Sequence, residues 1–212
     1  MALSKIQPAS MDLTANYAFT GTNSVAGLEY AEKKLATVTA SSSGTLSFTS
    51  SIDSTYNIYK FRFIEIHPSH NSNVDFGFQC STDGGSNYNT NITSNFFDAY
   101  HYENDSSAAV RYLGSRDLAN STSFQPLSVN TAEADADQHV SGELFLFDPS
   151  STTFVKNFLS TTQTASDGGS DDFSDNAYIG GYFNTTSAIN AVNFAMESGN
   201  IDAGTITLYG VS

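Results

Sequence analysis

The stretch that decides the fold lies near the C-terminus, where residues 188–210 read Ala-Ile-Asn-Ala-Val-Asn-Phe-Ala-Met-Glu-Ser-Gly-Asn-Ile-Asp-Ala-Gly-Thr-Ile-Thr-Leu-Tyr-Gly. Apolar residues occupy every second position in both halves of the stretch: Val192, Phe194 and Met196, then Ile206 and Leu208. This period indicates half-buried strands, and Ser198-Gly199-Asn200 between them indicates the connection. The pattern predicts a closing β-hairpin with one apolar face, which a second sheet must cover.

The amino-acid composition indicates an all-β protein. Only 14% of the 212 residues are charged, whereas about 25% is typical of a globular chain. Solubility must therefore come from Asn, Ser, Thr and Asp, which together with Gly favour turns and exposed strand faces and disfavour helix interiors. A chain of this length can bury about two-thirds of its surface, so a sizeable core is expected.

Further alternating or aromatic runs supply the strands of the second sheet. They span residues 59–63, 74–80, 91–102, 140–147, 153–159 and 178–183. Because these runs are not interleaved with helical patterns, a parallel α/β sheet is not expected. We predict an all-β, antiparallel, jelly-roll-like β-sandwich over residues 26–212.

The segments between these runs carry weaker patterns. Residues 28–34 contain helix formers and a possible i,i+4 pair, which favours a short helix. Residues 35–39 and 45–49 flank Ser41-Ser42-Ser43-Gly44 as two short strands around a turn. Asp83-Gly84-Gly85-Ser86 is a turn by composition, since glycine accepts positive φ. We expect mainly loops in residues 103–138, with one strand near 124–129, and a loop in residues 165–176.

Residues 1–25 differ from the rest of the chain. Their apolar residues are scattered, and Pro8 and Gly21 interrupt any regular element. We interpret this segment as an extended arm that docks its side chains one by one, and the alternative is a disordered tail. The expected docking residues are Ile6, Met11, Leu13, Tyr17 and Phe19.

The charge balance excludes two classes of partner. Eight Lys and Arg stand against 22 Asp and Glu, which gives a net charge of −14. Phosphate neutralisation needs basic residues, so neither nucleic acid nor an anionic membrane is expected as a partner. The N-terminus has no signal-peptide pattern and no run has the length of a membrane span, so synthesis in the host cytoplasm is expected.

Residues with catalytic or metal-binding potential are few, and for each a structural reading is favoured. Cys80 is the only cysteine, so no intrachain disulfide forms; it shares a strand face with apolar residues and is read as a core residue. His67 and His70 form a His-x-x-His pair, but zinc needs three or four ligands, so a surface turn is favoured. His101 lies among Tyr and Glu residues and could orient a catalytic base or bind a sugar by stacking, although an exposed strand end is the plainer interpretation.

Acidic runs leave two alternatives open. Residues 135–137 and the set Asp167, Asp171, Asp172 and Asp175 could offer oxygens to calcium, but neither run has EF-hand spacing, so solvated loops are favoured. A pair of carboxylates that hydrolyses glycosides is a second alternative, because a sequence does not show the distance between two carboxyl groups. Nucleophile-elbow and phosphate-loop motifs are absent, and we expect no cofactor and no metal.

Three strings resemble a family of proteins. The opening, with Ile-Gln-Pro-Ala-Ser-Met-Asp-Leu-Thr and Tyr-Ala-Phe-Thr-Gly-Thr, is similar to virion structural and fibre-like proteins of marine tailed bacteriophages. The same proteins contain strings similar to two others in this chain. These are Ser-Thr-Asp-Gly-Gly-Ser-Asn-Tyr at residues 81–88 and the C-terminal string at residues 198–210. The resemblance implies a non-enzymatic, β-rich component on the exterior of a phage particle.

Two roles follow from the resemblance and the composition. The first is a capsid decoration or cement protein whose arm docks on the shell or on a neighbour, with other virion proteins as partners. The second is a tail-fibre or receptor-binding module that recognises host surface glycans; a glycan-degrading enzyme is the weakest alternative. Homo-oligomers, with a trimer as one form, are expected by analogy with exposed phage β-proteins.

Overall fold

The computed structural model of the chain describes residues 32–69, 73–132, 138–166 and 171–211. Within these ranges the backbone forms β-strands and no helix. The strands are β1 Glu32–Thr39, β2 Leu46–Phe48, β3 Ile58–Pro68, β4 Asn73–Val74, β5 Phe76–Ser81, β6 Ile92–Tyr102, β7 Ala108–Tyr112, β8 Gln125–Pro126, β9 Thr131–Ala132, β10 Val140–Phe147, β11 Lys156–Ser166, β12 Phe173–Phe183, β13 Ala191–Met196 and β14 Ile201–Val211. None of the described residues belongs to a helix long and apolar enough to span a membrane.

Two antiparallel sheets form the two layers of a β-sandwich, which confirms the predicted fold class. The large sheet has the order β1-β14-β3-β10-β11-β12-β6-β7, and the small sheet has the order β2-β13-β5-β8. Strands β4 and β9 form a separate pair. Successive strands change sheets at both ends of the chain, as in a jelly roll, whereas β10, β11 and β12 follow one another within the large sheet.

An aromatic core joins the two sheets. Phe61 and Phe63 of β3 point from the large sheet at Phe194 of β13, with ring centroids 5.3 Å away in both cases. Phe76 and Phe78 of the neighbouring strand β5 stack on the same ring. All five rings are buried. Edge-to-face and offset-stacked rings at these distances stabilise the core beyond the burial of their area.

The predicted C-terminal hairpin is wrong, although both of its strands are present. β13 pairs with β2 and β5 in the small sheet, and β14 pairs with β1 and β3 in the large sheet. Gly199, with φ 76°, lies in the connection that crosses from one sheet to the other. Alternation identifies the apolar face of each strand, but it does not say whether two such faces lie side by side or opposite each other.

The short helix expected at residues 28–34 is also wrong where the structure describes it. Residues 32–34 begin β1, which pairs with β14 along its length, because the sheet edge offers backbone partners that a short isolated helix lacks. The strands on either side of Ser41-Ser42-Ser43-Gly44 are present as β1 and β2. They lie in different sheets, so they are not a local hairpin.

Two expected loops contain more strand than their sequence indicated. β11 continues to Ser166 and β12 begins at Phe173, which shortens the loop expected at residues 165–176. In the polar region 103–138 the structure forms β7, β8 and β9 rather than a single strand. The arm over residues 1–25, with its docking residues, lies outside the described residues.

Candidate functional site

The outward side of the large sheet carries a surface without charged side chains on four neighbouring strands, β11, β12, β6 and β7. We call it the neutral face. Strand pairing places its members on one side of the sheet: Asn157, Leu159, Thr161, Gln163, Ala165, Ser174, Asn176, Tyr178, Gly180, Tyr182, Thr93, Asn95, Phe97, Ala99, His101, Ala108, Val110 and Tyr112. None of these residues, all within the described part of the chain, is Asp, Glu, Lys or Arg.

The neutral face exposes large apolar side chains among its uncharged polar ones. Eight large hydrophobic side chains are exposed among the described residues, and five of them lie here. Their exposed fractions are 55% for Leu159, 41% for Tyr178, 43% for Phe97, 75% for Val110 and 62% for Tyr112. A contiguous exposed patch of this kind on a folded domain marks a contact surface.

The same four strands direct their charged groups inward. Lys156, Asp175 and Asp98 are buried on the inner side of the sheet, and the partly exposed Arg111 pairs with both carboxylates there. The inward positions of β11 also carry hydroxyl groups, and Ser166 Oγ donates to the carbonyl oxygen of Val129 at 2.7 Å. The charged groups of these strands are therefore on the inner side, beside core residues such as Phe158 and Ile179, and none is directed toward solvent.

Two local features give the neutral face its shape. Phe97 of β6 and Tyr178 of β12 are cross-strand partners whose rings stack at 5.3 Å and 9°. Beside them a depression of about 290 Å³ opens between Leu159 and Asn95. Gly180 lies in its lining, where a Cβ would come within 3.3 Å of Leu159 Cδ2. The depression can accept one large side chain.

The other half of the outward side of the sheet differs. Lys60 pairs with Glu32 and lies 3.8 Å from the Glu143 carboxylate. Arg62 lies 3.5 Å from Glu32 and stacks over the ring of Tyr209. The boundary between the charged half and the neutral face therefore runs between β10 and β11.

A buried carboxylate pair lies directly beneath the neutral face. Arg111 donates from Nε to Asp98 Oδ1 at 3.0 Å and from Nη2 to Asp98 Oδ2, and its Nη2 lies 3.4 Å from Asp175 Oδ2. Burial, followed by contact with the Asp98 carboxyl, raises the pKa of Asp175 to about 8. Asp175 Oδ1 and Thr164 Oγ1, on facing positions of β12 and β11, are both buried without a hydrogen-bond partner. The pair is closed off under Arg111, which suits a structural role better than glycoside hydrolysis in an open cleft.

The residues singled out for nucleophilic or metal chemistry do not form a site in the described structure. Cys80 is fully buried in β5, as expected for a core residue, and burial raises the pKa of its thiol well above the usual range. His67 lies near the end of β3, whereas His70 is outside the described residues. Among the described residues no group of three or more His, Cys, Asp and Glu side chains could hold a metal ion.

His101 lies at the end of β6, as expected, and its Nε2 is 3.0 Å from Asp105 Oδ1. It lines a cavity of about 470 Å³ together with His139, Tyr102 and Phe173. The rings of Tyr102 and Phe173 lie 5.1 Å apart with a tilt of 33°. The sequence did not indicate that His139 lies here, because His101 in β6 and His139, just before β10, are far apart along the chain.

The acidic residues proposed for calcium separate in the structure. Asp171 accepts a hydrogen bond from Asn104 Nδ2 at 2.6 Å at the surface. Asp175 was expected in a solvated loop; this is wrong, since it is fully buried on the inner side of β12. Residues 135–137 and Asp167 lie outside the described residues.

No protein-family model, no curated protein and no solved structure matches this chain.

Proposed function

We propose that this chain is a non-enzymatic structural protein on the exterior of a tailed-bacteriophage particle, and that it acts as a capsid decoration protein. The observation that carries the proposal is the neutral face. A rigid sandwich that exposes Leu159, Tyr178 and Tyr112 on one uncharged sheet surface has the form of an assembly part. Chemistry would instead require converging polar groups in a cleft.

The rest of the chain supports the same role. A net charge of −14 keeps a protein soluble at high local concentration, as many copies on one particle require. The strings at residues 1–21, 81–88 and 198–210 resemble virion structural proteins, and this resemblance supports a phage particle as the place of assembly.

The docking arm remains part of this proposal. Its five apolar residues between Ile6 and Phe19 would anchor the protein to the shell, while the sandwich faces outward. Deletion of residues 1–20 is expected to abolish incorporation into particles and to leave the melting temperature of the sandwich unchanged. Incorporation and thermal unfolding are measured on the same preparation, and an arm-less protein that decorates shells normally would refute this role.

Copy number separates head from tail. Quantitative mass spectrometry of purified particles is expected to give copies in proportion to the shell subunits. A handful of copies per particle would contradict the decoration role and favour the tail.

A receptor-binding module is the second candidate, and one observation favours it. The cavity of about 470 Å³ lined by His101, His139, Tyr102 and Phe173 combines aromatic rings with polar groups, as sugar sites do. If this is the functional site, a glycan array detects binding that Tyr102→Ala removes. An array without binding, together with a high copy number, excludes the second candidate.

A further inference from the structure

We propose that the neutral face is the surface on which a second copy of this chain docks, sheet against sheet, with the same face used by both copies. The inference rests on the assembly role proposed for the neutral face and names its partner. A face that meets itself forms a closed, isologous contact, which is the commonest symmetry of homo-oligomers.

Charge is the first reason to choose a second copy. The chain carries 22 Asp and Glu against eight Lys and Arg, yet four adjacent strands direct none of these residues outward. A basic partner would be recognised through carboxylates, because interfaces match opposite potentials. A partner as acidic as the chain itself requires a contact free of carboxylates, and the neutral face meets that requirement.

The area of the face is the second reason. β11, β12 and β6 each have 11 residues, and β7 has five. At about 3.4 Å per residue and about 4.8 Å between strands, the face covers on the order of 600 Å². Two such faces bury on the order of 1,200 Å², the lower limit for specific, stable interfaces. The face is therefore large enough for a dimer without help from the charged half.

The shape of the face argues for a protein rather than a sugar. Phe97 and Tyr178 stack on each other. Each ring therefore covers one face of the other, and that face is not accessible for stacking on a sugar. The depression next to Gly180 has about 290 Å³, which suits one inserted side chain, and the exposed Leu159 is available as such a side chain on a facing copy. At the rim, His101 and Tyr112 hydrogen-bond Asp105 and Asp117, as in the polar rim of an interface.

The test uses the purified full chain in sedimentation-velocity and light-scattering measurements over a concentration series. We expect a reversible dimer that tightens when salt is raised, because screening weakens the repulsion between two chains of net charge −14. A chain that stays monomeric throughout the series overturns the proposal. An association that weakens with salt overturns it as well, since that behaviour indicates ion pairs.

A pair of matched variants locates the contact. Leu159 and Ile64 are both exposed aliphatic residues on the outward side of the large sheet, 55% and 48% exposed, but Ile64 lies in the charged half. Leu159→Asp is expected to weaken association by about tenfold or more, and Ile64→Asp to change it by less than about twofold. Equal effects of the two substitutions, or no effect of Leu159→Asp, contradict the proposal.

Mixing two charge variants distinguishes a lost contact from a folding defect. Leu159→Asp and Leu159→Lys proteins are each expected to be monomeric and to associate when mixed, because opposite charges then face each other. Failure of the mixture to associate, with both variants folded by circular dichroism, argues against a self-facing contact. Glycan binding by the monomer that Leu159→Asp abolishes would instead assign the face to a sugar.

The self-association and the proposed function can be refuted independently of each other. A monomeric protein that still decorates particles refutes the self-association and leaves the decoration role intact. A dimer that never enters particles refutes the decoration role and leaves the self-association intact.

Discussion

The substitution Asp175→Asn is expected to stabilise this protein at neutral pH. Asp175 is fully buried next to Asp98 and has no hydrogen-bond partner for its Oδ1. Its pKa is raised from 3.8 to about 8, first by burial and then by the Asp98 carboxyl. The folded protein therefore holds a proton at pH 7 that the unfolded chain has released. Asparagine has nearly the same shape as the protonated acid, but it does not lose a proton as the pH rises.

The sign and size of the effect follow from proton linkage. Because the pKa is higher in the folded state, the contribution of Asp175 to the free energy of unfolding is largest below pH 3.8 and falls as pH rises toward 8. Each pH unit in this window removes about 1.4 kcal/mol, so the loss between pH 5 and pH 7 is at most about 3 kcal/mol. Asp175→Asn is expected to remove this loss and to be more stable than the wild type at pH 7 by up to the same amount.

Urea denaturation at pH 5, 6 and 7 provides the assay, since carboxylates with ordinary or lowered pKa values are ionised in both states across this range. Contributions from the four histidines and from Asp75, whose pKa is also raised by burial, are common to both proteins and cancel in the difference. Asp98→Asn is the matched control: it is expected to lower stability, because Arg111 loses its bidentate partner. A stability difference between Asp175→Asn and the wild type that does not grow from pH 5 to pH 7 would refute the reasoning.

Three further predictions concern the core and the turns. Phe194→Ala removes the ring between the two sheets and should cost about 3–5 kcal/mol in urea denaturation; a loss below about 1 kcal/mol would contradict its central position. Hydrogen bonds from Ser81 and Asn87 lower the pKa of Asp83 to about 2, so this stabilisation is present above pH 4 and lost as pH falls toward 2; an NMR titration of the carboxyl with a midpoint near 4 would disprove it. The Cys80 thiol, fully buried and raised in pKa, should not react with a thiol reagent until the protein is unfolded, and fast labelling of the folded protein would show that the core is open.

Strands with strong alternation could be predicted because their own residues carry the signal. Tyr59, Phe61 and Phe63 alternate with polar residues in β3 and are buried in the structure. The turn at Asp83-Gly84-Gly85-Ser86 is confirmed by φ values of 74° and 90° at the two glycines, since such angles favour glycine. The position of Cys80 in the core followed from the same period of two.

The candidate functional surface was not predictable in the same way. In β11 the inward positions include Ser160, Thr162, Thr164 and Ser166, and one of the exposed positions holds Leu159. A pattern that expects apolar residues inside and polar residues outside cannot assign the faces of such a strand. The neutral face could only be recognised after strand pairing had aligned Leu159, Tyr178, Phe97 and Tyr112, which are far apart in sequence.

What the sequence determined by itself is the class of the fold and the location of most strands, because alternation and turn residues are local properties. The tertiary structure decided which strands share a sheet. Residues 188–210 would contain two strands whether they formed a hairpin or lay in different sheets. In the structure β13 belongs to the small sheet and β14 to the large sheet, so each apolar face is covered by the opposite layer of the sandwich. It also decided that Asp175 is buried and that Leu159 is exposed. These outcomes depend on partners distant along the chain, and a local pattern carries no information about them.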